Sequence, residues 1–144
     1  MQTRVWDIQE EMPDDFLHIS CISVGESMLI SGFNTEGVYE YSYCTGYKKI
    51  FETGRGSGIL LKNSLGEIFL LRGGTIYRSS EDNYTEWWSV GSYDSELINK
   101  RLEGTILELG DSFYFTAWKY NCLKFNFKHL KVCLLYTSPS PRDS

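Results

Sequence analysis

Proline is nearly absent from this chain, with three in 144 residues and two of those, Pro139 and Pro141, in the last six positions. Set beside 13 glycines and an aromatic share of 15%, that scarcity suits many short strands separated by tight turns. No window carries a long helical pattern. No apolar run approaches the roughly 18–20 residues that a membrane-spanning helix needs, which excludes that kind of membrane protein. Basic residues are also short: the formal charge is −5 and the pI about 5.0. A nucleic-acid partner held by phosphate attraction is therefore not expected. The one basic cluster, Lys124, Lys128 and Lys131 with His129, is spread by strand alternation over a solvated edge.

Chemistry-bearing patterns are missing as well. The cysteines have no C-x-x-C spacing, so no metal centre is read from them. Cys21 lies in an apolar run and reads as a small core residue, and Cys44 lies near a turn. His18 and His129 have no neighbouring Ser, Cys or Asp that would mark a nucleophile. Glu10-Glu11, Asp14-Asp15 and Glu81-Asp82 are adjacent pairs whose side chains diverge in strands or turns, so they read as solvated turn residues. Gly54-Arg55-Gly56-Ser57-Gly58 is glycine-rich without the Lys-Ser/Thr of a phosphate loop and reads as a flexible link. Asn83-Tyr84-Thr85 fits a glycosylation sequon by chance. No catalytic, cofactor-binding or metal residue is assigned, no cofactor is expected, and the balance leans against an enzyme.

The start, MQTRVWDIQEEMPDD, has no apolar stretch of the signal-peptide kind. With free thiols this gives the expectation of a cytoplasmic chain. The end is unusual in another way. Cys133 to Ser144, CLLYTSPSPRDS, resembles one reading frame of a transposase adapter used in short-read sequencing libraries. That resemblance implies a non-native tail at 133–144 and a natural chain that continues past Val132.

What is present is a repeated strand grammar. Residues 67–91 read as an apolar run, a turn at Gly73-Gly74, an alternating run, a polar tip at Glu81-Asp82-Asn83 and a closing run with Trp87-Trp88. The same order occurs on both sides. Residues 1–16 read as the end of one module, 17–54 as a full module, 55–103 as a second with a longer connection, and 104–132 as a third, cut short. Residues 95–100 in that connection could make one helical turn. VYEYS, IYRSS and LKFNF start at 38, 76 and 123, while MLISGF, EIFLLR and SFYFTA start at 28, 67 and 112. Four-stranded units repeating every 40–50 residues or so are the signature of a β-propeller, in which each blade covers its two apolar faces by packing between neighbours. The expected fold is all-β: antiparallel meander modules forming a partial β-propeller of about three incomplete blades.

The order of apolar strand, glycine turn, VYEY-like strand and closing aromatic strand resembles kelch repeats, and Trp6 to Met12-Pro13 is similar to the kelch link between blades. The kelch double glycine stands only at Gly73-Gly74, where the other modules have Gly32-Phe33 and Ala117-Trp118. A second likeness is to the Asp-box S-x-D-x-G-x-T-W of sialidase-like propellers: Ser80, Asp82 and Trp87 match, while Tyr84 and Glu86 replace the glycine and threonine. The kelch resemblance implies a non-catalytic protein-interaction scaffold with a protein or peptide partner, met by the tips at Asn34-Thr35-Glu36 and Glu81-Asp82-Asn83 and by the 91–101 connection. The alternative is a carbohydrate-active or sialidase-like propeller, which would need an arginine cluster that Arg4, Arg55, Arg72, Arg78 and Arg101 do not form in sequence.

Overall fold

The computed structural model describes residues 17–33, 35–56, 58–80, 84–98, 102–117 and 121–136. Within them the chain is all-β apart from one 3-10 turn, Ser95–Ile98. The first sheet takes β1 (Leu17–Val24), β2 (Ser27–Phe33), β3 (Thr35–Ser42) and β4 (Gly46–Gly56) in that order. The second takes β5 (Gly58–Lys62), β6 (Ile68–Arg72), β7 (Thr75–Ser79) and β8 (Trp87–Ser92). The third takes β9 (Leu102–Leu109), β10 (Ser112–Ala117), β11 (Asn121–Asn126) and β12 (Lys131–Tyr136). Every neighbour pair is antiparallel and consecutive in sequence, so each sheet is a meander and the whole is a partial, propeller-like array.

The turns are set by local chemistry. Gly73 and Gly74 both have positive φ, +60° and +90°, which is what a two-residue turn between β6 and β7 needs to match the strand twist. Asn63 does the same for the longer turn between β5 and β6: its Oδ1 accepts from the Leu65 and Glu67 backbone N–H groups.

Strand alternation divides the apolar residues between two cores. Leu60, Ile68 and Leu70 leave one face of the second sheet and pack with Val24, Leu29, Val38 and Ile50 of the first. Ile59, Leu61, Phe69, Leu71 and Ile76 leave the other face and pack with Phe113, Phe115, Leu123 and Phe125 of the third. The middle sheet is thus covered on both sides, and β6 is buried along its whole length. Each fully buried aliphatic or aromatic side chain contributes about 1.5–3 kcal/mol. Polar bonds cross the same boundaries. Leu60 N donates to Ser20 Oγ at 3.0 Å, Lys62 Nζ to the Ser23 carbonyl at 2.9 Å, and Ser64, through both N and Oγ, to Glu108 Oε2.

Two expectations are corrected. The glycine-rich stretch read as a link is strand as far as Gly56, which pairs with Thr35 as part of the 11-residue β4. Cys21, read as a core residue, is exposed: it lies on the edge strand β1, on the face opposite to the one that meets the second sheet. In the third sheet, Cys133 and Leu134 of the adapter-like tail pair with Lys124 and Leu123, and the side chains of 133–135 are exposed.

Candidate functional site

At one end of the second and third sheets, a cleft of about 380 Å³ opens between the turn after β5, the turn after β9 and the turn after β11. Its polar wall is built by register. Arg78 on β7 lies opposite Phe69 on β6, which puts its guanidinium over the Phe69 ring at 5.9 Å and within 3.0 Å of Glu67 Oε2. The other Glu67 oxygen accepts from Asn63 Nδ2 at 2.7 Å. Asn63 is itself buried, so the carboxylate is held from both sides by groups with little freedom to move.

The opposite wall comes from the third sheet. Asn126 Oδ1 accepts from the Lys128 and His129 N–H groups, and Phe127 N donates to the Asp111 carbonyl, which fixes the turn carrying Lys128. Leu130 closes that turn at φ 58°, a left-handed conformation that a leucine rarely adopts. Its backbone lies close to Gly91, where a Cβ would sit 3.5 Å from the Leu130 carbonyl oxygen. Val90, Phe127 and Leu130 give the cleft an apolar floor beneath groups of both charges, Arg78 and Lys128 against Glu67 and Asp111. Such a surface can hold a ligand with apolar and polar parts by packing and charged hydrogen bonds.

The residues raised by the sequence are scattered. Asn34 and the tip at 81–83, with Asp82 of the Asp-box likeness, lie outside the described residues, as do Arg4, Arg101 and the link from Trp6 to Pro13. Trp87 of that likeness donates through Nε1 to the Tyr84 carbonyl, and Ser80 N donates to the Glu86 carbonyl. Arg72 and Arg78 point to opposite faces of the second sheet: Arg72 lies on the Gly58 side with Ser31, and Arg78 on the Phe69 side. Burial holds the Arg72 guanidinium below its usual range, with Tyr77 and Tyr93 acting against that. Burial likewise pushes the Tyr93 phenol up. His129 and Lys128 are exposed at the turn after β11, while Lys124 and Lys131 share the outer face of the third sheet. No group of three or more His, Cys, Asp or Glu side chains able to hold a metal ion occurs among the described residues. Likewise among the described residues, no helix is long and apolar enough to cross a membrane. In sequence Glu67, Arg78 and Asn63 carry no shared signal: the β6–β7 register brings Arg78 to Glu67, and the turn between β5 and β6 brings Asn63.

No protein-family profile matches the chain, and no curated protein matches it. Among solved structures the chain is similar to the extracellular domain of the hybrid two-component system BT4673 from B. thetaiotaomicron. The TM-score is 0.60 and the identity 17%, over 85% of this chain and 17% of that one. The chain therefore spans about a sixth of that domain's length, and the likeness is one of fold. The expected cytoplasmic location is corrected by this match, because the matching fold belongs to an extracellular domain. Free thiols and a start without an apolar stretch were too weak a basis for assigning a compartment.

Proposed function

We propose that the chain is part of a non-catalytic β-propeller recognition scaffold, kelch-like in its blade order, which takes a protein or peptide partner in the cleft between the second and third sheets. The observation that carries this reading is the Asn63–Glu67–Arg78 network at the edge of that cleft. Its charged groups are positioned before any ligand arrives, and preorganised polar groups beside an apolar floor favour specific binding. Turn-end loops on a rigid repeated scaffold are also where binding residues concentrate. The setting favoured by the solved likeness is the outer part of a signalling protein, where the blades would present this cleft to a ligand outside the cell.

Selection of a displayed random-peptide library on the immobilised chain tests the reading. Enriched peptides whose binding is lost in Arg78→Glu and kept in a distant surface variant, Glu26→Gln, support it. Failure to enrich any peptide, or enrichment indifferent to Arg78→Glu, overturns it. Saccharide binding on a glycan array that is lost in Arg78→Glu would favour the carbohydrate-directed alternative.

A further inference from the structure

The two adjacent tryptophans of β8 leave the second sheet on opposite faces. Trp87 goes to the first sheet, where it stacks on Phe51 and donates to the Tyr84 carbonyl, so the fold accounts for it. Trp88 stands directly opposite Arg78 in the β7–β8 register, and Arg78 shares a face with Phe69, the face that meets the third sheet. Yet Trp88 is 48% exposed, and among the described residues no ring or cation stacks on it. Residues directly opposite on one face have Cβ atoms about 4.5–5.5 Å apart, so the indole borders the Glu67–Arg78 pair on the cleft wall. Across β7 and β6 from it, Leu65 of the turn after β5 lines the cleft and is 74% exposed. The ion pair is thus flanked by two apolar groups that the described residues leave open to water.

The charges along the cleft balance, Arg78 and Lys128 against Glu67 and Asp111. A strongly acidic or basic ligand would lose beside one pair of groups what it gains beside the other. We infer that Trp88 is the anchor of the cleft, and that the partner is an extended peptide segment without net charge that lays an aromatic side chain on the Trp88 ring. This rests on the peptide reading proposed above and names the chemistry of the partner. A flat ring covers an open indole best, since aromatic pairs attract beyond the area they bury, and tryptophan is prominent among the residues that carry interface affinity. Val90, two positions along the same strand, continues the apolar surface from Trp88 into the floor made with Phe127 and Leu130.

Peptides enriched from a displayed random library on the full chain should share an aromatic residue at one position and carry no net charge. A synthetic copy of the best of them, with phenylalanine in place of any tryptophan, then serves as the probe. Trp88→Ala should weaken its binding about tenfold or more at an unchanged melting temperature, and Trp88→Phe, which keeps a flat ring, should restore most of the affinity. The tryptophan emission of the wild-type chain should shift on binding, and that of Trp88→Phe should not. Raising salt from about 50 to about 500 mM should change the affinity less than about threefold, because no net charge is neutralised. Equal binding by the wild-type chain and Trp88→Ala overturns the inference, as does a steep loss of affinity with salt or an enriched set without a shared aromatic residue. If binding of those peptides is still lost in Arg78→Glu, the peptide reading of the cleft stands and only the role given to Trp88 falls. If no peptide is enriched, both fall.

Discussion

Phe51 of the first sheet and Trp87 of the second stack across the sheet boundary with ring centroids 5.2 Å apart and planes 10° from parallel. Tyr77 meets the same Phe51 ring edge-on at 5.2 Å. Offset stacks of this kind add about 0.5–1.5 kcal/mol beyond the area they bury. Trp87→Ala should therefore cost about 2–4 kcal/mol in chemical denaturation, the lower end reflecting partial exposure of the ring. A loss below about 0.5 kcal/mol, the level of an ordinary surface substitution, would mean that the stack does not hold the two sheets together.

Gly37 lies so close to the facing strand that an added Cβ would overlap the Phe51 carbonyl oxygen, a backbone atom with no rotamer to escape into. Gly37→Ala should destabilise the first sheet by about 3 kcal/mol or more, in the range of severe core or backbone conflicts. Gly25→Ala is the control. It has open space around it and only a positive φ of 59° to oppose the change, so a cost of about 1 kcal/mol is expected. Equal melting temperatures for the two variants would contradict the packing at Gly37.

Asn63→Ala removes the acceptor of the Leu65 and Glu67 N–H groups and the donor to Glu67 Oε1. Leaving such groups unmet costs about 1–3 kcal/mol. Glu67 would then be steered by Arg78 alone, so any ligand of the cleft should bind more weakly to Asn63→Ala than to the wild-type chain, and Asn63→Asp, which keeps the acceptor but sets a second carboxylate 2.7 Å from Glu67 Oε1, should not restore binding. Isothermal titration with an enriched peptide gives the comparison.

Burial raises the Tyr93 pKa, so the folded state holds its proton at pH values where the unfolded chain releases it. The sign follows from linkage: the contribution is full below pH 10.0, the ordinary tyrosine value, and is lost as pH rises through the raised one. Stability should therefore fall as pH rises from 10.0 through the raised value, and Tyr93→Phe should flatten the fall. Urea melts at a series of alkaline pH values measure both, and parallel curves for the two proteins would rule the assignment out.

The repeat was legible in the sequence because strands alternate with period two and glycines punctuate them, and both signals are local. Which face of a strand would be covered was not. Cys21 and Ile22 sit in the same apolar run, yet the neighbouring sheet meets Ile22 and leaves Cys21 outside. Gly54 to Gly56 looked like a break since glycine is rare in strands, but β4 runs through it to Gly56, which pairs with Thr35 beyond a shift in register. The cleft was hidden for a related reason. Glu67 and Arg78 are 11 positions apart in sequence and touch only through the register of a hairpin whose turn residues say nothing about charge.

Because Ile59, Leu60 and Leu61 run through β5 without a polar residue among them, that strand faces two cores with nearly interchangeable side chains. A slip by one residue would give each core an aliphatic group of similar size, so hydrophobicity does little to choose between the two settings. The choice falls to the strand's ends. Gly58 faces Ser31 where a Cβ would come within 2.6 Å of its Oγ, and Asn63 is buried in its turn at the other end. This edge strand of the middle sheet is thus indexed by its smallest residue and its turn, like a key cut only at the tip and the bow, while its buried apolar centre tolerates swaps that conserve volume.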